Sequence, residues 1–342
     1  MGWEDRNHGP VPQPNPVAAR ELRPACQEGE VPVAAIHGTR HFPKGNPLIG
    51  PDTTHDPAHV LPGEFVSRNV SLPFDQVYGD AGSSPAQAAP RSTGNAAPSC
   101  YNYAPGYVAC YYWASVAEQR VVDGAGMTLA IESPAVDSGG ATNGHSIGQI
   151  AVSGPGYSGV SLDDVEMGFS VSRGQWGNSN PHLFVYHFIG EEATCYDSCD
   201  WNQYSSTYYP GMDLSPLLGE RVYIGWVHYQ GAWWAWFNRQ WMGYINDSAW
   251  ANAFTQAVVV QWYGEVAEIG SDPPYTQMGN GQLAENTTSA SMTTLCDVDI
   301  DVWVCGYGKL RTSTLSSQPE YYDILNTRIG GVRYGGPGAS TP

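Results

Sequence analysis

Apolar and polar residues alternate in several stretches of the chain, and one such stretch carries an acid. In VVVQWYGEVAEI, residues 258–269, one set of alternate positions is apolar and includes Trp262, whereas the other set carries Gln261, Tyr263 and Glu265. Successive side chains of a strand point to opposite faces. The pattern therefore predicts a strand with a core face and a half-polar face, and Glu265 lies on the half-polar face.

A second segment repeats this pattern about a hundred residues earlier in the chain. In SLDDVEMGFSV, residues 161–171, apolar residues share one face, and Glu166 and Gly168 share the other. Glycine within a strand is typical of a place where another group approaches the backbone closely. Two carboxylates that face each other cannot both ionise cheaply, so one can act as an acid and the other as a base. Glu166 and Glu265 are therefore a candidate catalytic pair if their strands lie near each other.

The same alternation predicts about ten strands and no long helix. Turn residues, mainly glycine and proline, separate the short apolar or alternating runs. The predicted strands lie in segments 107–116, 127–136, 146–154, 164–172, 182–190, 221–230, 233–245, 253–269 and 299–308. Strands at this spacing are typical of an antiparallel sandwich, so we predict an all-β fold.

The chain changes character near residue 98. Residues 1–98 are proline-rich and irregular, and residues 79–100 are typical of a flexible linker. We therefore predict an N-terminal extension over residues 1–98 that ends in a linker, and a β-sandwich domain over residues 99–342 that carries the candidate catalytic pair.

Histidines concentrate in this extension but do not predict a metal site. Five of the nine histidines lie there, and two pairs, 37/41 and 55/59, have the i,i+4 spacing of helical metal ligands. Pro57 interrupts the second pair, and no other signal indicates a helix. We predict neither a metal nor a cofactor, since glycine-rich phosphate-binding motifs are also lacking from the sequence.

Charge and cysteine content favour an extracellular protein. A net charge of −18 argues against nucleic acid as a partner, and no apolar run is long enough to suggest a membrane span. Six of the seven cysteines fall into close pairs, which favours disulfides and an oxidising compartment over zinc. The pairs are Cys100 with Cys110, Cys195 with Cys199, and Cys296 with Cys305, and Cys26 is left over. The first residues lack the features of a secretory leader, so secretion would require that a leader has been removed.

Six motifs, taken in order, resemble the neprosin family of glutamic peptidases. They are SIGQIAVSGPG, DVEMGFSV, HLFVYHF followed by TCYDSC, WWAWFNRQWMGYI, VVQWYGEV and PPYTQMGNGQ. The resemblance covers residues 100–310 and implies a sandwich of two curved antiparallel sheets, similar to the eqolisin peptidases. It places a catalytic glutamate pair of the concave sheet at Glu166 and Glu265. It also implies cleavage after proline in acid, and a pro-segment whose place residues 1–98 occupy.

The mechanism implied is hydrolysis of a peptide bond without a covalent intermediate. Ionised Glu265 would activate water, and protonated Glu166 would bind the scissile carbonyl. The two roles could be exchanged, because coupled carboxylates titrate as a pair. Candidate supporting or substrate-binding residues are Gln149, Trp176, Tyr186, Trp262, Tyr263 and Gln277, and Trp233, Trp234 and Trp236 could add aromatic walls that hold a proline ring.

Two features of the sequence leave the substrate open. Tyr263 stands where plant members of the family have a small residue, which could alter the subsites. Paired carboxylates on a tryptophan-rich sandwich would also suit a glycoside hydrolase, or a lectin-like binding protein in which the acids are inert. We expect a monomer that acts on proline-containing peptides or proteins, and digestion of a peptide rather than a glycan would discriminate the classes.

Overall fold

A computed structural model describes most of the chain beyond the predicted extension. The described residues are 94–95, 98–104, 107–136, 144–155, 162–189, 192–194, 196–238, 240–269, 274–299, 304–306, 313–327 and 331–339. Almost all of the predicted extension, including Cys26 and the two histidine pairs, lies outside these residues.

Strands dominate the described residues, which confirms the predicted all-β class. In chain order they are β1 (Gly94–Asn95), β2 (Ser99–Ala104), β3 (Tyr107–Val122), β4 (Gly124–Ala130), β5 (His145–Pro155), β6 (Leu162–Val171), β7 (His182–Ile189), β8 (Glu192–Ala193), β9 (Trp201–Gln203), β10 (Arg221–His228), β11 (Ala232–Phe237), β12 (Gln240–Asn246), β13 (Ala257–Ile269), β14 (Ala290–Asp299), β15 (Val304–Gly306), β16 (Ser313–Ser316), β17 (Asp323–Asn326) and β18 (Val332–Gly335). The helices of the described residues are short: α1 (Arg173–Trp176) and two 3₁₀ turns, Ser215–Leu217 and Asp247–Trp250.

The described strands form two sheets, and nearly all neighbouring strands run antiparallel. The first sheet has the order β1-β16-β3-β13-β5-β6-β7-β8, with β2 also paired to β3. The second has the order β17-β18-β14-β4-β10-β11-β12-β9, with β15 also paired to β14. β1, which lies within the predicted linker, is a parallel exception: it pairs with β16 through Gly94 and Leu315.

The hydrophobic core lies between the two sheets. Trp262 and Met167 of the first sheet belong to the same buried cluster as Met127, Ile224 and Trp233 of the second. Full burial of a large apolar side chain contributes about 1.5–3 kcal/mol, so this interface is the main source of stability. One face of each central strand of the first sheet packs in this core, and we call it the core face.

The structure shows one predicted disulfide in full and two further bonded cysteines. Cys100 of β2 lies opposite Cys110 of β3, and the two form a disulfide across the hairpin, as predicted. Cys199 and Cys296 are disulfide-bonded as well. The side chains of Cys195 and Cys305, their predicted partners, lie outside the described residues, so these two pairings stay predictions. No helix among the described residues is long and apolar enough to span a membrane.

Candidate active site

The candidate catalytic residues lie on the face of the first sheet that points away from the core. Two buried aromatic clusters cover this face and are separate from the core between the sheets. The first contains Trp113, Tyr263 and Ala267, and the second contains Phe184 and Tyr186. We call this surface the site face. Alternate residues of β13 and β6 point to the core face and to the site face, which confirms the two faces that the sequence predicted for these strands.

Glu265 lies near the middle of β13, opposite Trp113 of β3 and Ile147 of β5. Its side chain is fully buried. The indole Nε1–H of Trp113 donates to Oε2 over 3.0 Å, and Nε2 of His145 lies 2.8 Å from Oε1. Both carboxylate oxygens therefore have a hydrogen-bond partner, which is the arrangement that a buried carboxylate requires.

Glu166 occupies the equivalent face of β6, opposite Ala151 of β5 and Tyr186 of β7. It is also fully buried. The hydroxyl of Tyr263 donates to its Oε1 over 2.6 Å. This contact fixes the orientation of the Glu166 carboxyl group.

The two glutamates are not on adjacent strands, because β5 lies between β13 and β6. Glu265 is level with Ile147, and Ile147 is level with Ser170, which is four residues from Glu166 along β6. Tyr263 spans this gap: it lies two residues from Glu265 on the same face of β13, and its hydroxyl reaches Glu166. The distance between the two carboxyl groups, which the mechanism requires to be about 4–7 Å, stays a prediction.

Electrostatic coupling places both glutamates around the same tyrosines. Burial raises the pKa of Tyr263 well above its ordinary value, and the charges of Glu166 and Glu265 raise it further. Burial also raises the pKa of Tyr186, and the charges of Glu166, Asp164 and Glu265 raise it further. Burial, neighbouring tyrosines and both glutamates raise that of Tyr196. These phenols keep their protons at working pH, so they can donate hydrogen bonds within the site.

Gln149 lies on β5 between the two glutamate strands, directly opposite Tyr263 and Gly168. It is fully buried, and neither polar atom of its side chain has a hydrogen-bond partner among the residues that the structure describes. Gly168 makes room for it, since a Cβ at this position would overlap the Gly148 carbonyl and lie 2.8 Å from the Gln149 Cβ. The close approach that glycine indicated is therefore that of the neighbouring strand. A buried amide without a partner is costly, which is typical of a group kept for a ligand.

Aromatic side chains flank the polar residues on the side of β7. Trp176 of α1 is buried beside Phe184 and Tyr186 and stacks on His182, with ring centroids 4.7 Å apart. Tyr196 packs on Tyr186 with centroids 4.7 Å apart. The structure therefore brings Trp176 and Tyr186 onto the site face, where the sequence analysis expected substrate-binding residues.

Trp262 does not belong to this group, and its prediction as a substrate wall is corrected. Its side chain is fully buried in the core between the sheets, and its Nε1–H donates to the Gly126 carbonyl. The reason is parity, because Trp262 is an odd number of residues from Glu265. Trp233, Trp234 and Trp236 lie on β11 of the other sheet, so they do not line the site face.

Two further polar residues of the same region are engaged elsewhere. The side-chain oxygen of Gln277 accepts the backbone N–H of Ala135 over 3.1 Å, and its role as a substrate donor stays a prediction. Glu268, the next acid on β13, points away from Glu265 and accepts the backbone N–H groups of Tyr275 and Thr276. It holds the PPYTQMG segment in place.

Sequence reasoning missed His145 and Trp113, the two residues that contact the Glu265 carboxylate. His145 shares the parity of Gln149 along β5, but the predicted strand began at residue 146, one position too late. Trp113 was placed in a predicted strand, yet its position opposite Glu265 depends on the pairing of β3 with β13. Alternation could have found His145, whereas Trp113 required the register.

Comparisons with known proteins bear on the family and the fold. A family model described as Neprosin matches residues 142–337, more than half of the 342 residues. Among solved structures, SCP-B, a member of the eqolisin family of peptidases in complex with the tripeptide Ala-Ile-His, is 9% identical. That alignment covers 66% of this chain and 98% of that chain, with a TM-score of 0.32.

Two other solved structures match with still lower TM-scores. CG-16, a homodimeric agglutinin from chicken liver, is 11% identical over 45% of this chain and 98% of that chain, with a TM-score of 0.26. A prokaryotic β-1,3-1,4-glucanase derived from a mouse hindgut metagenome is 8% identical over 54% of this chain and 95% of that chain, with a TM-score of 0.25. Similarities this weak carry no argument about activity.

Proposed function

Because the chain belongs to the Neprosin family, we propose that it is a glutamic endopeptidase in which Glu166 and Glu265 form the acid-base pair. The observation that carries the proposal is the site face itself. Two fully buried carboxylates lie there, and both act on the same tyrosines. Buried acids are costly to fold around, so their presence on one surface favours a catalytic function.

The hydrogen bonds divide the roles between the two acids. Glu265 lies between an indole donor and an imidazole, and the imidazole can carry a positive charge, so the carboxylate is stabilised as the ionised base. Glu166 is held by Tyr263, a donor that stays neutral. Since two coupled carboxyl groups ionise one after the other, Glu166 is the group that keeps the shared proton.

In the proposed reaction, Glu265 takes a proton from water as the water attacks the scissile carbonyl carbon. Glu166 donates a hydrogen bond to the carbonyl oxygen as negative charge develops there. The proton then passes to the leaving nitrogen as the C–N bond breaks, and the pair returns to its starting state. No metal or covalent intermediate is needed for the atoms and charges to balance.

Gln149 supplies a second donor in this scheme. Its unpaired side-chain N–H lies on the strand between the two acids, where it can bind the developing oxyanion. A preorganised donor of this kind is typically worth about 10²–10³ in kcat. Binding of substrate would therefore give this amide a partner that the described residues do not supply.

The aromatic residues beside β7 favour a flat, apolar residue next to the cut bond. Trp176, Tyr186 and Tyr196 offer ring faces and edges on the site face. A proline ring packs well against such surfaces and needs no hydrogen-bond partner of its own. We therefore propose cleavage after proline, at acidic pH, with peptides or proteins as the substrates. The disulfides fit a secreted protein, since such bonds persist in oxidising compartments.

Digestion of a peptide with a single internal proline, followed by mass spectrometry at pH 3 and pH 7, tests the proposal. We expect a cut after proline at pH 3. Glu166→Gln and Glu265→Gln should each reduce kcat/KM by about 10²–10⁴, the usual value of a general acid or base.

The matched control is Glu220→Gln, the same chemical change at an exposed position before β10 of the other sheet. It should retain the activity of the parent protein. The proposal fails if either site variant keeps more than about a tenth of the activity. It also fails if the parent protein cuts a β-glucan and leaves the peptide intact.

A further inference from the structure

His145 is a buried histidine in contact with the candidate base. It is the first residue of β5, and its side chain is 4% exposed. Its Nε2 lies 2.8 Å from Oε1 of Glu265, and the indole of Trp113 donates to the other carboxylate oxygen. The imidazole and the indole thus hold Glu265 from two sides, which fixes the orientation of the carboxyl group.

The two acids of the pair therefore differ in the kind of partner that they have. The partner of Glu265 can carry a positive charge, whereas Tyr263, which donates to Glu166, remains neutral because burial and both carboxylates raise its pKa. An imidazolium beside a carboxylate stabilises the ionised form of that carboxylate far more than a neutral donor does. The asymmetry points to His145 as the element that distinguishes the base from the acid.

We propose that His145 is a positioning residue that, as an imidazolium, keeps Glu265 ionised and so extends activity to lower pH. The inference rests on the proposed peptidase function, and it concerns how the base remains ionised at low pH. In this state Nε2–H of His145 donates to Oε1 and Nε1–H of Trp113 donates to Oε2. A lone pair of the carboxylate then remains available to accept a proton from the attacking water.

The titratable groups around this contact come from several elements. Glu265 faces His145 from β13, and Tyr111 of β3 packs edge-on against the imidazole with ring centroids 6.1 Å apart. Glu265 in turn interacts electrostatically with Tyr263, Tyr186 and Tyr196. The charge of Glu166 acts on the same three phenols. These tyrosines stay protonated in the acid range. Asp164 of β6, whose Oδ1 accepts the backbone N–H of Phe188, is a further buried acid that acts on Tyr186 and Tyr263.

The test is the pH profile of kcat/KM for His145→Gln in the full chain, because this profile reports groups of the free enzyme. Glutamine keeps a hydrogen-bonding side chain but cannot carry the charge. Without the imidazolium, the base takes up its proton at higher pH, so the acid limb should move upward by about 1–3 pH units. Activity at pH 3 should fall more steeply than activity at the optimum.

His182→Gln is the matched control. His182 is a second buried histidine of the site face, and it hydrogen-bonds Gly211 and Asn178 rather than a glutamate. Its substitution could change substrate binding but should leave the acid limb in place. The inference is overturned if the acid limb of His145→Gln coincides with that of the parent protein, or if His182→Gln moves the limb equally.

A second measurement covers the case in which His145→Gln does not fold. NMR of the histidine rings would follow the titration of His145 in the parent protein and in Glu265→Gln. Because linkage is reciprocal, loss of the carboxylate should lower the His145 titration midpoint by a similar amount. An unchanged midpoint refutes the inference even when Glu265→Gln is inactive, whereas retention of peptidase activity by Glu265→Gln would refute the proposed function itself.

Discussion

The core face and the site face of the first sheet are both buried, yet they are built from different residues. On β13, Trp262 and Val266 point into the core between the sheets, while Tyr263 and Glu265 point to the site. Trp262 makes apolar contacts and one hydrogen bond to a backbone carbonyl. Glu265 instead contacts the side chains of other strands, including a histidine.

The difference shows that burial alone does not distinguish the core from the site in this protein. What separates the two faces is the type of contact. Packing of apolar volume stabilises the core face, whereas the site face contains acids, phenols and an amide without a partner. Polar groups buried in this way lower the free energy of unfolding. The apolar packing of the core face must therefore offset the cost of the site face.

Truncation on the core face should therefore affect folding more than chemistry. Trp262→Ala leaves a cavity where a fully buried indole packs between the sheets. The free energy of unfolding should fall by about 3–5 kcal/mol, the usual cost of such a truncation. Urea denaturation would measure this loss, and kcat/KM of the folded fraction should stay within about threefold of the parent value, since surface contacts with substrate are unchanged.

Trp262→Phe is the milder companion variant, and it covers the case in which the alanine variant does not fold. It should lose less stability and the same small amount of activity. A loss of activity of a hundredfold or more in Trp262→Phe, without loss of stability, would contradict the separation of the two faces.

Alternation of apolar and polar residues is the reason that the central strands were predictable. β6 follows it, and so does β13 beyond the register shift between Ala257 and Val259, so the faces of Glu166 and Glu265 could be derived from the sequence. β14 could not, because its register shifts between Thr293 and Cys296 and Thr294 has a positive φ of 50°. The irregularity breaks the period of two, and the segment resembles a polar loop. The predicted strand over 233–245 was likewise two strands, β11 and β12, joined by a turn.

The site was predictable only as far as it depends on single strands. Strand parity selected both glutamates and also placed Trp262 on the core face. The abundance of tryptophan suggested an aromatic wall, but of the tryptophans named for it the structure places Trp176 on the site face and Trp262 in the core. The order β13-β5-β6, which brings Gln149 between the two acids, is a property of the whole sheet. No local pattern encodes it, so the contacts of His145, Trp113 and Tyr263 required the structure.

Removal of a polar group from the site face should lower activity and leave stability unchanged or higher. Removal of an indole from the core should instead lower stability and leave activity nearly unchanged. Gln149→Leu replaces an unpaired buried amide with an apolar side chain of similar size. Stability should stay equal or rise, because a buried amide without a partner costs about 1–3 kcal/mol. We expect kcat to fall by about 10²–10³, equivalent to about 2.7–4 kcal/mol, as for loss of an oxyanion donor.

Gln149→Glu is a useful second variant because it keeps the shape of the side chain and adds a third acid. Its activity should fall as well, since a carboxylate repels the developing oxyanion. Peptide cleavage and thermal denaturation would be measured on the same samples. If Gln149→Leu is fully active, then Gln149 does not bind the reacting carbonyl.

The smallest of the three effects concerns an acid at the border of the site face. Asp197 follows Tyr196, and its Oδ1 accepts the backbone N–H of Val185 on β7, while its Oδ2 is buried with no hydrogen-bond partner within the described part of the chain. Burial raises the pKa of Asp197 from 3.8 to about 8, although the Val185 hydrogen bond acts in the opposite direction. Between these pH values the unfolded chain is ionised at this position and the folded protein holds a proton, so this group destabilises the fold as pH rises.

Asp197→Asn removes that titration and keeps the oxygen that accepts from Val185. Asn also tolerates the left-handed backbone at this position, where φ is 68°. We expect the variant to match the parent protein at pH 3 and to exceed its free energy of unfolding at pH 7 by about 1–3 kcal/mol. His187 has the opposite pH dependence. Burial lowers its pKa from 6.5 to about 4, although Asp200 raises it, so His187 destabilises the folded protein as pH falls below 6.5. The comparison must therefore be made between variant and parent at each pH. Urea denaturation at pH 3 and pH 7 measures the difference, and an equal gain at both values would show that ionisation of Asp197 does not limit stability at neutral pH.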